Sequence, residues 1–405
     1  MKKIVIIGGG TAGWLTALYF KKYNSIFDIT VIDSTKIGIL GAGEGTTPNM
    51  LGMLFYLKID LQDFFEKTKS TKKVGIDFIN WSQNKSTFHH GFKKGTHGFH
   101  FDARLLAKYF KNIGIERGIK YLDANITHFT QSDNGDITHI HLEEIEKLEC
   151  DFVFDCSGFA RLVIGKLYKS NWKSYSENLK ANSALAFFLP QTQKFTIETN
   201  TNTQSIAMKN GWMFKIPLQH RWGCGYVFNN DYTTIDEAKK EIEDYIGHEI
   251  EIVKSFNFEP GAYQETWVNN CVALGLASGF VEPLEATSLM TLIFSISELG
   301  KVGFECSTEN RNSYNEYVND MNNQIVLFIT HHYNCGRTDS DFWRDINKLN
   351  LPNKLTDVLC NMTKLKSNND LLHYISPKST FPIFGYENYM TIDLGHKTKI
   401  KKTFL

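Results

Sequence analysis

Proline is scarce in these 405 residues, with eight in all, so long proline-rich linkers are excluded. No Cys-x-x-Cys pair occurs among Cys150, Cys156, Cys224, Cys271, Cys306, Cys335 and Cys360, and seven is an odd number, so a complete disulfide framework is excluded too. That pattern fits a reduced, cytoplasmic chain. Surplus charge is missing, because 44 Lys+Arg balance 44 Asp+Glu. Binding a polyanion requires clustered excess Lys and Arg, so nucleic acid is not an expected partner. No segment reaches the roughly 18 uninterrupted apolar residues of a membrane helix. Met1-Lys2-Lys3 before Ile4–Ile7 imitates a signal peptide, but three glycines stop the apolar run after four residues. Repeats and low-complexity segments are absent. What is present is 42% hydrophobic and 13% aromatic residues, ample for a sizeable core. At about 150 residues per domain, the length predicts two to three domains or one composite enzyme.

The first 35 residues alternate in pattern. Ile4–Ile7 reads as a buried strand, Gly8–Gly13 as a turn, Trp14–Tyr23 as a helix and Asp28–Ile32 as a second strand, which makes a β-α-β unit. Leu105–Arg117 has helical spacing, and Asp151–Asp155 reads as another buried strand. Strand patterns fill Ala184 to Phe228 and return at Cys271–Leu276. Thr287–Gly300 is an apolar helix, and the chain from there to about Leu372 reads as helical and polar-faced.

Gly8-Gly9-Gly10-Thr11-Ala12-Gly13 satisfies G-x-G-x-x-G between a strand and a helix, and Asp33 follows twenty residues after Gly13. Gly8 permits the tight turn, Gly10 the approach of a pyrophosphate, and Gly13 close packing of helix on strand. The helix N-terminus offers free N–H groups to phosphate, and Asp33 can accept from ribose hydroxyls. Two later segments, Asp151–Gly158 and Ala273–Gly279, each pair a buried strand with a small-residue turn. Flavoproteins of the hydroxylase type use such returning segments, which favours FAD over NAD. The expected class is α/β, a Rossmann-type FAD-binding module of the hydroxylase kind interleaved with a β-rich substrate module and a helical C-terminal part. The FAD module takes 1–80, 150–165 and 266–300. Residues 81–149 form a substrate-module and helical insertion, 166–265 the β-rich substrate module, and 301–405 the helical region.

Over most of residues 1–345 the chain resembles the flavin-dependent halogenases, the group that includes the tryptophan halogenases. The resemblance rests on Gly8–Gly13, the loop Gly43-Glu44-Gly45-Thr46-Thr47-Pro48, and Lys73-Val-Gly-Ile-Asp-Phe-Ile-Asn-Trp81. It continues through Asp155-Cys-Ser-Gly158, Trp212-Met-Phe-Lys-Ile-Pro217 and, most specifically, Ser278-Gly-Phe-Val-Glu-Pro-Leu-Glu-Ala-Thr287. There are departures. The family's W-x-W-x-I-P carries Phe214 as its second aromatic, Glu-Ser-Thr-Gly reads Glu285-Ala286-Thr287-Ser288, and the glycine–Asp pair of related flavoproteins is Gly275-Leu276.

The resemblance implies FADH2, O2 and a halide as reactants, with FADH2 delivered by a separate flavin reductase because no second dinucleotide motif is seen. It implies FAD contacts at Gly8, Gly10, Thr11, Ala12, Gly13, Asp33, Glu44, Gly45, Asp155, Gly275, Ser278 and Gly279. Hypohalous acid would pass to Lys73, whose bland alternative is one charge in a solvated lysine run. Glu285 would take the proton from the ring, with first-turn macrodipole stabilisation as its alternative. Halide would sit on the N–H groups of Thr287 and Ser288. His90 and Phe92 would stack on the aromatic substrate. Trp212 and Phe214 would screen it from the flavin, or else be ordinary core aromatics. No metal is expected, since His90, His97 and His100 lack acidic partners at ligand spacing. A small electron-rich arene (indole, phenol or aniline) is the expected substrate. Free tryptophan is expected to be poor, because little chain follows Phe381 to clamp an amino acid. Ser288 in place of glycine favours bromide or iodide over chloride. Self-association is left open. A flavin monooxygenase and a non-catalytic flavin-binding escort remain the rivals, to be separated by Lys73, Glu285 and turnover with halide.

Overall fold

The computed structural model describes residues 2–36, 44–143 and 147–397, so Gly43 of the expected flavin loop lies outside the described residues. Lys3–Ile7 is rich in β-branched residues and lies at the centre of a six-stranded sheet. It pairs in parallel with Asp28–Asp33 on one side and Phe152–Asp155 on the other, and Phe152–Asp155 pairs in parallel with Cys271–Ala273. Parallel strands buried on both faces read as continuous apolar runs, as these do. Ile7 stands level with both Ile32 and Asp155, and Asp155 level with Ala273. The three separated nucleotide segments therefore end along one sheet edge, where open α/β sheets bind their ligands.

The second body is an eight-stranded sheet with the order Ile252–Asn257, Ser183–Pro190, Arg221–Phe228, Gly211–Pro217, Asn200–Ala207, Thr71–Ile79 and Thr87–Gly91, with Gly98–His100 also on Thr71–Ile79. Segment boundaries differ from expectation here. Thr71–Ile79, placed in the FAD segment 1–80, belongs to this large sheet, because its edges are claimed by Asn200–Ala207 and Thr87–Gly91. Conversely Lys120–Asp123, inside 81–149, is the outer strand of the nucleotide sheet.

Several elements run differently from their sequence pattern. The first helix starts at Thr11, before Trp14. Strand Cys271–Ala273 stops early because Gly275, at φ +62°, opens a short turn. The helix Ala103–Glu116 begins where the Asp102 carboxylate accepts from the N–H groups of Arg104 and Leu105. The region after residue 300 is helical, but its longest helix, Thr308–Tyr333, is not polar-faced throughout. Every residue from Gln324 to Tyr333 is buried, since this end runs into the core between the two bodies. The last described helix, Tyr386–Lys397, lies on strand Thr87–Gly91 so closely that a Cβ on Gly395 would fall 2.4 Å from the Phe88 ring. No helix among the described residues is long and apolar enough to cross a membrane.

Candidate active site

The glycine turn is built as its spacing requires. Gly8 adopts φ +111°, and a Cβ on Gly13 would lie 1.9 Å from the Gly8 carbonyl oxygen, so helix and strand meet only with glycine there. At Gly10 a Cβ would meet nothing within 4 Å, leaving open space over the N-terminus of Thr11–Tyr23, which has no side-chain cap. Asp33 reaches back over the turn, its Oδ2 2.4 Å from where a Gly9 Cβ would stand. Gly275 approaches Ala12, bringing the third segment onto the first helix.

Two expected flavin contacts are used otherwise. The Asp155 carboxylate is fully buried and accepts from the N–H groups of Ser157, Val163 and Ile164 and from the Ser157 hydroxyl, so its charge shapes the following turn and is not free for a ligand. Glu44 is likewise buried and clamped by the Arg221 guanidinium, which also holds Asp102 at 2.9 Å. This clamp fixes the loop whose next residue, Gly45, runs past Lys73. Gly279 is required for strand pairing, since a Cβ would fall 2.6 Å from the Ala262 Cβ.

A narrow cleft is lined by Gly275, Ser278, Gly279, Thr287 and Ser288, together with Thr291 and Ser295. The expected flavin and halide residues thus share one space. Helix Thr287–Val302 starts there with no side-chain cap, so its first N–H groups remain open to an anion.

Lys73 is no surface charge. It is 1% exposed and makes no ion pair among the described residues. A bulge turns its strand at this point, since Thr201 pairs with Lys73 while Asn202 pairs with Gly75, skipping Val74. The ammonium lies 5.6 Å from the centre of the Phe92 ring and 3.7 Å from the position of a Gly45 Cβ. Burial pulls its pKa down to about 8, partly opposed by the charge of Glu285. Beside it His100 is buried between Thr71 and Thr203, and burial, followed by the Lys73 charge, holds it well below the usual histidine range.

Glu285 does not lie in the first turn of an α-helix. It sits in a short turn before Thr287 with φ +67°, and Ala286 follows at φ +56°. Two consecutive left-handed residues without glycine are strained, as functional turns often are. The carboxylate is 3% exposed, and its Oε1 accepts from His90 Nδ1 and His332 Nε2, both at 2.8 Å. Burial pushes its pKa up, but the two histidines outweigh burial and hold it well below the usual carboxylate range. His90 therefore has an acidic partner, contrary to expectation, 195 residues away in sequence. Its other nitrogen, Nε2, meets Asn388 Oδ1 at 2.8 Å, so both ring nitrogens are engaged. Trp212 is a core residue packed with Trp81 and Phe214, and Phe214 itself is half-buried. Near Trp212, buried Glu282 accepts from the Tyr333 hydroxyl, and burial raises its pKa to about 8.

The tryptophan halogenase profile matches residues 3–98 and 93–401. The chain belongs to the tryptophan halogenase family. It is 28% identical to the tryptophan 7-halogenase RebH of Lentzea aerocolonigenes, over 88% of this chain and 81% of that protein. To the 7-chloro-L-tryptophan 6-halogenase KtzR of Kutzneria sp. (strain 744) it is 28% identical over 92% and 87%. The solved structure of Tar14, a tryptophan C-6 flavin-dependent halogenase (chlorinase) from taromycin biosynthesis, superposes with a TM-score of 0.88 at 27% identity, covering 98% and 90% of the two chains. This halogenase is accordingly a flavoenzyme that uses FADH2, O2 and halide. The open space over Gly10 and the uncapped helix above it fit a pyrophosphate. The expected preference for bromide or iodide is not supported, since the relatives point to chloride. His332 and Asn388 join Glu285 and His90 through hydrogen bonds that sequence spacing does not reveal. The only sequence signal for His332 was a histidine pair at the end of an apolar helical run, Ile325–Tyr333.

Proposed function

We propose that this halogenase chlorinates the indole ring of tryptophan or of a tryptophan-derived substrate, with Lys73 handling the halogen donor and Glu285 the ring proton. The observation carrying this reading is a buried ammonium, without an ion-pair partner among the described residues, that lies with Ala286, the neighbour of the buried Glu285, against Gly45. A Cβ on Gly45 would stand 3.7 Å from Lys73 Nζ and 3.5 Å from the Ala286 Cβ. When bound, FADH2 with O2 supplies the oxidising equivalent that turns halide into hypohalous acid. Gly8, Gly10, Thr11, Ala12 and Gly13 hold the pyrophosphate against the first helix, and Asp33 the ribose. The N–H groups of Thr287 and Ser288 hold the halide. The Lys73 ammonium donates to the hypohalous oxygen and protonates it as it leaves as water. The halogen bonds to the ring carbon, Glu285 removes the hydrogen from that carbon, and the C–H electron pair returns to the ring. Phe92, beside Lys73, supplies an apolar wall. Lys73 acts as an ammonium, so activity falls as pH rises past about 8.

The relatives' names support chloride and tryptophan. Helix Tyr386–Lys397 packs on Thr87–Gly91, the strand that carries His90, which supports a pocket with chain beside it for an amino-acid substrate. FADH2 is assigned to a separate flavin reductase, and seven free cysteines accord with a reducing cytoplasm.

The test is product analysis by mass spectrometry with reductase, equal chloride and bromide, and either free tryptophan or indole. Chlorotryptophan should dominate, and Lys73→Ala should abolish it while FADH2 oxidation continues. Exclusive bromination of indole would overturn the substrate and halide assignment. Near-parental chlorination by Lys73→Ala would return that lysine to a structural role.

A further inference from the structure

The grip on Glu285 fixes where protons stand. His332 Nδ1 lies 2.8 Å from the Phe328 backbone oxygen, which can only accept, so Nδ1 carries a hydrogen. Its Nε2 lies 2.8 Å from Glu285 Oε1, and two lone pairs do not face each other at that distance, so a second hydrogen lies between them. The Glu285–His332 pair thus holds one proton more than a carboxylate beside a neutral imidazole. His90 is under no such constraint. Turning the Asn388 amide end for end would let its nitrogen donate to Nε2 and leave His90 neutral, still donating from Nδ1 to Glu285.

Both histidines converge on the same oxygen. Oε1 has both lone pairs committed, whereas no described hydrogen bond uses Oε2. Oε2 is therefore the more basic oxygen and the one left for the substrate. We propose that His332 is a positioning residue for halogenation, keeping the shared proton on its own ring so that Glu285 stays an anion with Oε2 free to take the arene's proton. This rests on the assignment of Glu285 as the proton acceptor. In that step the ring C–H bond breaks, its electron pair restores the aromatic ring, and an O–H bond forms at Oε2. The proton then leaves to solvent before the next turnover.

The charged and titratable groups around the pair come from several elements. Lys73 faces it from strand Thr71–Ile79 and His90 from Thr87–Gly91. His331 lies behind His332 on the same helix, pushed down to about 4 chiefly by burial, and His396 on the last helix is pushed down for the same reason. His332 differs from both in having each ring nitrogen against an acceptor, the Phe328 carbonyl and the Glu285 carboxylate. Phe78 and Trp81 pack on the His332 ring and exclude water from it.

Two measurements test this. The first is 15N NMR of the histidine-labelled, flavin-loaded enzyme, in which His332 should keep both ring hydrogens at pH 7.5 and lose one in Glu285→Gln. A single ring hydrogen on His332 in the parent overturns the proposal without touching the role of Glu285. The second is the pH profile of kcat for His332→Gln and His332→Phe. Removing the positive partner raises the Glu285 pKa, so the acid limb should move up by about one pH unit or more in both. The glutamine keeps a donor to Oε1 and should retain more kcat than the phenylalanine, with KM for the arene nearly unchanged. An unmoved acid limb in both folded variants overturns the proposal, as does loss of parental activity on chelator treatment, which would make the cluster a cation site. If Glu285→Gln halogenates at the parental rate while the NMR result holds, the fault lies in the acceptor assignment instead.

Discussion

Single side chains at this site were readable when their spacing was local. Gly8, Gly13 and Asp33 lie within one β-α-β unit, and their geometry follows from it. The side chains of Asp155 and Glu44 take partners that only the folded chain sets. Asp155 is consumed by N–H groups up to nine residues ahead, and Glu44 by a guanidinium 177 residues away. Glu282 is another such case. Burial raises its pKa to about 8, so the folded protein binds a proton that the unfolded chain releases near pH 4.5. Between those values the folded state holds more protons, and stability must therefore fall as pH rises from about 4.5 to 8. Glu282→Gln keeps the shape without the titration. Its melting temperature should match the parent at pH 5 and exceed it by several degrees at pH 8.5. Equal temperatures at both pH values would mean that Glu282 is not held as the neutral acid.

At the scale of elements, strands and helices matched the hydrophobic period well, and errors fell where tertiary contact overrode it. The helix Thr308–Tyr333 carries enough Asn and Asp to read as polar-faced, yet its last ten residues are buried, and this burial is what delivers His332 to Glu285. The loop after Glu44 is the other element whose role needed coordinates. A Cβ on Gly45 would stand at ordinary contact distance from Ala286, Lys73 and His100, at 3.5, 3.7 and 3.8 Å. Alanine is tolerated there on those distances. The extra methyls of valine would press on the Lys73 ammonium. Gly45→Ala should halogenate at near-parental rate, and Gly45→Val should oxidise FADH2 but lose product, its hypohalous acid appearing in solution on an added thioether scavenger. Full product yield from Gly45→Val would show that nothing needs to pass this loop.

For the whole molecule, the sequence disclosed an interleaved pair of modules but misplaced the seam at Thr71–Ile79, because strand pairing partners are not encoded in a strand's own pattern. Among the described residues, the largest of four buried apolar clusters runs from Ile4 to Ile392 across both bodies. Unfolding should accordingly be a single cooperative event, and FAD should raise it as a whole. Differential scanning calorimetry should give one transition that moves up with added FAD. Two transitions, with only one responding, would mean the bodies melt apart.

The parallel pairing of Thr71–Ile79 with Asn200–Ala207 also bears on how the protein comes to exist. Such a strand cannot be completed from its own neighbourhood, and the chain must be synthesised past residue 200 before Lys73 acquires its second edge. Contacts this distant in sequence are slow to close. During that interval the newborn chain already carries its complete glycine turn, Gly8–Gly13, while the lysine is still bathed in water. A nascent halogenase can thus assemble a nucleotide fingerprint long before it owns a sheltered place in which to handle an oxidised halogen.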